Sequence, residues 1–184
     1  MKKLLLLCAL SFATVTARAQ AARPLLPVDS LTHKVTYQGV VQVPGASQAD
    51  LYVRAREWFA TSFGSAKAVL EMDDKEAGKL IGNAHGEYMQ RFMGRESPTT
   101  LWRTINIQVK DGRFKYTISN FATGTNKAQA DARPVELAIT PAAFDKSGKL
   151  VPYMESMLSG IQASAEAQVK SLLIAMASAK GKDW

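Results

Sequence analysis

Residues 105–118 read INIQVKDGRFKYTI, and this stretch decides the fold. Apolar residues alternate with polar ones on both sides of Asp111-Gly112. Alternation with a period of two predicts strands that bury one face. An Asp-Gly pair between two such runs predicts a β-hairpin, because glycine tolerates the positive φ of a type I′ turn. The predicted register pairs Val109 with Phe114, which puts both apolar sets on one face of the sheet.

The same alternation predicts further strands elsewhere in the chain. They span residues 34–43, 66–73, 80–89 and 135–139. Gly82 and Gly86 lie inside the third of these and indicate either a bulge or a close approach by another part of the chain. Residues 91–98 are polar and are interpreted as a loose link between strands.

Two helices accompany the strands. Ser47 is a predicted N-cap, apolar residues then recur at helical spacing, and Gly64 ends the helix. A second, longer helix is predicted from Pro152 to about Ser178. Its buried stripe includes Met157, Ile161, Leu172 and Met176. Hairpin-linked strands form an antiparallel sheet, and both helices must cover its apolar face.

These elements predict one α+β domain, in which an antiparallel sheet of about five strands is packed by two helices. The predicted domain spans residues 34–179. Residues 20–33, which contain two prolines, are an extended lead-in, and residues 180–184 are a C-terminal tail.

The N-terminus has the layout of a secretory signal. Met1-Lys2-Lys3 is positively charged, Leu4 to Val15 is an apolar run, and Ala17 and Ala19 are small residues where a signal peptidase reads. The run has 12 residues, whereas a membrane-spanning helix needs about 20. Lipidation at Cys8 is disfavoured because a leucine precedes it. We therefore predict a signal peptide over residues 1–19 and a periplasmic or secreted protein.

Without residues 1–19 the chain has 20 basic and 16 acidic residues, a net charge of +4, and no cysteine. The 47% of hydrophobic residues excludes a disordered protein. The absence of cysteine excludes a disulfide scaffold, and two histidines in the whole chain are too few for a Cys/His zinc cluster.

Five short segments resemble one bacterial family. They are Leu26-Pro27-Val28-Asp29, Val43-Pro44-Gly45, parts of Asp50 to Phe59, Met72 to Gly78, and Val109 to Arg113. The family is exported and is catalogued as a domain of unknown function with a TBP-like fold. The resemblance covers residues 25–121 and implies a β-α-β(4)-α order. It implies no activity, because the family has no catalytic or binding residues to transfer.

Catalytic and metal-binding interpretations rest on few residues. Neither His33 nor His85 stands in a nucleophile motif, so a catalytic histidine is disfavoured. Asp73, Asp74 and Glu76 could supply oxygen ligands to a divalent cation, but Lys75 lies among them and the spacing is not that of an EF-hand. A solvated turn is the better interpretation. We predict no catalytic residue, metal or cofactor.

Basic and aromatic residues alternate between residues 91 and 116. They are Arg91, Phe92, Arg95, Trp102, Arg103, Lys110, Arg113, Phe114, Lys115 and Tyr116. Such interleaving is typical of proteins that bind single-stranded nucleic acid. However, a charge of +4 is a weak electrostatic footprint, and Phe114 belongs to the predicted core. We predict that nucleic acid is not the partner.

The C-terminal helix leaves two interpretations open. A curved sheet that grips a long helix is also the plan of START-like lipid-binding domains, in which Met157, Ile161, Leu172 and Met176 would line a cavity. A filled core is favoured, because methionine is a common gap-filler. We therefore predict a non-catalytic protein-binding module of the cell envelope. A carrier of a small apolar ligand is the alternative, and a hydrolase is third.

Overall fold

A computed structural model describes residues 26–124 and 131–178. The predicted signal peptide, residues 20–25 of the lead-in and the tail lie outside these ranges. Among the described residues, no helix combines the length and the apolar character needed to cross a membrane.

The described chain folds into an antiparallel sheet with helices on one face, which confirms the predicted α+β fold. The strands are β1 (Tyr37–Gln42), β2 (Leu70–Asp74), β3 (Lys79–Phe92), β4 (Arg95–Lys110), β5 (Arg113–Gly124) and the short β6 (Arg133–Pro134). The helices are α1 (Gln48–Phe63), the single turn α2 (Ala66–Val69) and α3 (Pro152–Ala177). The order in the sheet is β1-β5-β4-β3-β2, and β6 pairs with β5.

The hairpin of β4 and β5 has the predicted register. Val109 pairs with Phe114, and both side chains are buried in the core. The prediction of a type I′ turn is wrong, since only Gly112 has a positive φ, of 71°. The turn is shaped by its contacts with the start of α1. The Asp111 carboxylate accepts a hydrogen bond of 2.7 Å from the backbone N–H of Gln48, and Gly112 donates one of 2.9 Å to the Ala46 carbonyl.

Helix α1 begins and ends as predicted. The Ser47 hydroxyl accepts a hydrogen bond from the Asp50 backbone N–H, and Gly64 takes the left-handed conformation that commonly ends helices. The buried face of α1 includes Trp58, whose indole N–H donates to Ser171 of α3 at 3.0 Å. This bond joins the two long helices above the sheet.

Strands β3 and β4 are longer than predicted. Residues 91–98 are not a loose link, because β3 continues to Phe92 and β4 begins at Arg95. A two-residue turn, Met93-Gly94, joins them, and both residues have a positive φ, of 50° and 78°. All side chains over residues 91–98 are exposed, so no buried face leaves an alternating pattern in this part of the sequence.

The strand predicted over residues 66–73 is wrong for its first four residues. Residues Ala66–Val69 form a helical turn, because the Ser65 hydroxyl caps it by accepting a hydrogen bond from the Ala68 N–H. Strand β2 begins only at Leu70 and is exposed along most of its length, with Met72 facing solvent. The apolar alternation there does not mark a buried face.

The strand predicted over residues 135–139 is also wrong. Only Arg133–Pro134 pair with β5, and Val135–Ala138 form a 3-10 helix. Val135 is buried, whereas Leu137 and Ile139 are exposed, so the alternation in this segment follows no sheet.

The two glycines of β3 allow other parts of the chain to approach the strand closely, which is one of the two predicted alternatives. A Cβ added at Gly82 would lie 2.8 Å from the Phe59 ring of α1. A Cβ added at Gly86 would lie 2.8 Å from a guanidinium nitrogen of Arg103. Contacts of that length are too short for real Cβ atoms, so Gly82 makes room for a helix and Gly86 for an arginine.

Candidate functional sites

The four predicted ligand-contacting residues of α3 lie in the hydrophobic core. Met157, Ile161, Leu172 and Met176 are all buried in the cluster that includes the inward side chains of the sheet. The structure therefore brings them together on the sheet-facing side of the helix. Their role as the lining of a ligand cavity stays a prediction.

The acidic turn is engaged in contacts of its own. The Asp73 carboxylate accepts hydrogen bonds from the Tyr52 hydroxyl and, at 2.9 Å, from Arg56 Nε. Burial opposes ionisation of Asp73, but these two hydrogen bonds hold its pKa below the usual value. Asp74 accepts a hydrogen bond from the Ala77 N–H within the turn. Among the described residues, no three His, Asp or Glu side chains are grouped to hold a metal ion.

The two histidines lie on exposed parts of the chain. His85 is on the outer face of the sheet, where its ring packs against Trp102 with the centroids 4.5 Å apart. His33 lies in the exposed turn before β1 and has a positive φ of 56°.

The structure separates the basic and aromatic residues that alternate in the sequence. Arg103 and Phe114 are buried on the core side, whereas Lys110 and Lys115 are exposed. Arg91 forms an ion pair with Glu96 across the hairpin. The interleaved sequence therefore does not form one basic and aromatic surface.

A buried arginine is a candidate that the functional interpretation of the sequence missed. Arg103 occupies an inward position of β4, with the same parity as Leu101 and Ile105, and is only 5% exposed. Its Nη1 donates a hydrogen bond of 3.3 Å to the Ser164 hydroxyl of α3. Its Nε has no hydrogen-bond partner among the described residues. Burial lowers the pKa of Arg103 to about 10, so the side chain remains charged at neutral pH.

Arg103 lies at a groove, with a volume of about 340 Å³, between the end of α1, α3 and β3. Polar side chains dominate its walls. Besides Arg103 they include Ser62, Ser164, Gln168 and Ser171. We call this feature the arginine groove. The sequence did hold a signal for it, since a charged residue interrupts the inward apolar positions of β4.

A second candidate is an exposed apolar surface at the far end of the β3–β4 hairpin. Phe92, its chain neighbour Met93 and Tyr153 are exposed there, and we call this feature the hairpin-end patch. Phe92 and Tyr153 meet edge to face, with ring centroids 5.3 Å apart. The backbone N–H of Arg91 donates a hydrogen bond of 2.8 Å to Ser156, which holds the hairpin against the start of α3.

Comparison with known families identifies part of the chain. Residues 37–123 match a family described as a domain of unknown function (DUF4468) with a TBP-like fold. This segment is a DUF4468 domain. The match confirms the family resemblance that the sequence motifs indicated. No curated protein matches the chain.

Solved structures support the fold of the DUF4468 domain together with α3. A DUF4468 family protein from Bacteroides ovatus ATCC 8483 superposes with a TM-score of 0.67 at 17% identity, over 87% of this chain and 95% of that one. A TBP-like protein from Parabacteroides distasonis ATCC 8503 gives 0.64 at 14% identity, over 85% of this chain and 99% of that one. At these identities the similarity establishes the fold alone.

Both candidate sites cross the boundary of the DUF4468 match. Arg103 and Phe92 lie inside the matched segment, whereas Ser164 and Tyr153 come from α3, beyond residue 123. The docking of α3 on the sheet therefore completes each site.

Proposed function

We propose that the protein is an exported, non-catalytic binding module of the cell envelope that recognises a partner protein through the hairpin-end patch. The observation that carries this proposal is the set of large apolar side chains gathered at one end of the domain. Phe92 is 56% exposed and Met93 is 86% exposed. Contiguous exposed apolar surface on a soluble protein commonly marks an interaction site.

The backbone at Met93 supports the same proposal. A non-glycine residue in the left-handed region costs about 1–2 kcal/mol relative to its preferred conformation, and asparagine or glycine would be the usual choice. Met93 adopts this unfavourable conformation, and its exposed side chain gains no burial from it. A flexible, polarisable methionine at the tip is suited to contact with another protein.

The charges near the patch favour a protein partner over a lipid surface. Arg91 is paired with Glu96, and the exposed Arg95 and Glu155 add one charge of each sign. A surface that binds anionic lipid needs an excess of Lys and Arg, which the described residues around the patch do not provide. The partner that fits is an envelope protein with an apolar pocket and little net charge around it.

Other classes of function have less support. We rank a carrier of an apolar ligand second, because the α3 residues that would line its cavity pack in the core. We rank a hydrolase third, because Asp73 is engaged by Tyr52 and Arg56, and His85 packs against Trp102.

Site-specific photocrosslinking in the native host tests the proposal. p-Benzoylphenylalanine in place of Phe92 should form one discrete adduct with another envelope protein, and the same residue in place of Lys110 should not. The purified partner should then bind the wild-type protein, and Tyr153→Asp should weaken this binding at least tenfold. An adduct with a second copy of the chain, an adduct with lipid, or no adduct at Phe92 would each contradict the proposal.

The export part of the proposal has its own measurement. Mass spectrometry of the protein purified from its host should find Gln20 at the N-terminus, without lipid. An intact Met1 or an acylated Cys8 would refute it.

A further inference from the structure

We infer that the arginine groove binds the oxyanion, a carboxylate or a phosphate, of a small ligand. This inference goes beyond the proposed protein contact, because it concerns a different surface and a different class of ligand. It rests on the burial of Arg103, on its missing counter-charge and on the polar groups around it.

The first argument is the cost of an unpaired buried charge. Buried charges in proteins are ordinarily paired, because their desolvation is not otherwise offset. Among the described residues, Arg103 forms no ion pair, and its one hydrogen bond goes to the neutral Ser164 hydroxyl. The Nε–H is left without an acceptor. An oxyanion in the groove would supply the missing counter-charge.

The second argument is the chemistry of the groove walls. Hydroxyls of Ser62, Ser164 and Ser171 and the amide of Gln168 line the groove together with Arg103. Hydroxyl and amide groups can donate hydrogen bonds to an anion whose charge the guanidinium balances. The volume of about 340 Å³ falls within the range for a small ligand. No acidic side chain lines this groove to repel one.

The third argument is the position of Gly86. Its missing side chain leaves room for the guanidinium, since an added Cβ would lie 2.8 Å from Nη2. Nη2 is at the far end of a flexible side chain, so Gly86→Ala would displace the guanidinium rather than disrupt the sheet. This variant keeps the charge and changes only its position.

Two-dimensional NMR titration of the purified protein with sodium phosphate and with sodium acetate tests the inference. Chloride should hold the ionic strength constant in both series. We expect saturable shifts of the Gly86 and Ser164 amides with at least one anion. The tighter-binding anion assigns the ligand class, phosphate-bearing or carboxylate-bearing. Shifts that do not saturate with either anion would overturn the inference.

Variants separate this site from general salt effects. Arg103→Met should reduce the affinity at least tenfold, and Gly86→Ala should reduce it severalfold, while the exposed Arg95→Met should leave it unchanged. In the absence of anion, Arg103→Met should melt at the same temperature as the wild type or higher, because it removes an uncompensated charge. Equal affinities in wild type and Gly86→Ala, or a parallel loss in Arg95→Met, would refute the assignment. Neither result would affect the crosslinking test at Phe92.

Discussion

The two ends of β4 carry turns of the same length and different character. At one end Met93-Gly94 joins β4 to β3, and at the other Asp111-Gly112 joins it to β5. Each turn has two residues, with a glycine second. Yet Asp111-Gly112 hydrogen-bonds to the start of α1, whereas Met93 projects its side chain into solvent.

The difference lies in the first residue of each turn. Asp111 offers a carboxylate that satisfies a backbone N–H at the start of α1, so this end of the strand supports the fold. Met93 offers an apolar side chain in a costly backbone conformation, which does nothing evident for the fold. One strand therefore joins an end built for stability to an end that we propose is built for recognition.

Truncating one aromatic ring at each end should give the largest contrast. Phe114→Ala should reduce the free energy of unfolding by about 3–5 kcal/mol, because the ring is fully buried. Phe92→Ala should cost only about 0.5–1 kcal/mol, since it loses mainly the edge-to-face contact with Tyr153. Urea unfolding measures both. Similar losses at the two positions would abolish the distinction between the ends.

A polar substitution at each end should give a smaller contrast. Asp111→Ala should cost about 1 kcal/mol, because the first turn of α1 loses an acceptor for the Gln48 N–H. Arg95→Ala, at the exposed end, should stay within about 0.5 kcal/mol. The same urea experiment applies. A loss at Arg95 equal to that at Asp111 would show that the exposed end also supports the fold.

The smallest expected effect has the opposite sign. Met93→Asn should stabilise the protein by about 0.5–1 kcal/mol, because asparagine tolerates the left-handed conformation better than methionine. The control is Met89→Asn, an exposed strand position at which asparagine should bring no gain. Thermal melts compare the variants. If Met93→Asn destabilises the domain, the methionine side chain contributes to the fold, and its conformation is no argument for recognition.

The sequence predicted those parts of the fold in which a pattern reports burial. The register of Val109 with Phe114 and the limits of α1 both follow from apolar spacing and from capping residues. Prediction failed where strands pair without a buried face, as over residues 91–98. It also failed where apolar residues alternate outside the sheet, as over residues 135–139, where the chain forms a 3-10 helix instead of a strand.

The candidate sites were harder to predict than the fold for a physical reason. Arg103 breaks the inward apolar pattern of β4 and could have been noticed from sequence alone. Its contact with Ser164 joins positions 61 residues apart and exists only because α3 packs on the sheet. The hairpin-end patch likewise joins Phe92 to Tyr153 of α3, and no local pattern links the two.

The order of strands in the sheet also bears on how the domain folds. Strands β2 to β5 pair with their neighbours in the chain, whereas Tyr37 of β1 must find Ile118 of β5, 81 positions later. A contact between residues far apart in the chain requires a long loop to close, which costs conformational entropy. Folding is slow when many such contacts must form. We therefore expect the meander of β2 to β5 to form first and β1 to pair late.

In stopped-flow kinetics, Val41→Ala should mainly speed unfolding, and Ile107→Val should slow folding. Since α1 follows β1 directly and begins beside Asp111, the last strand to pair would also set the first helix in place.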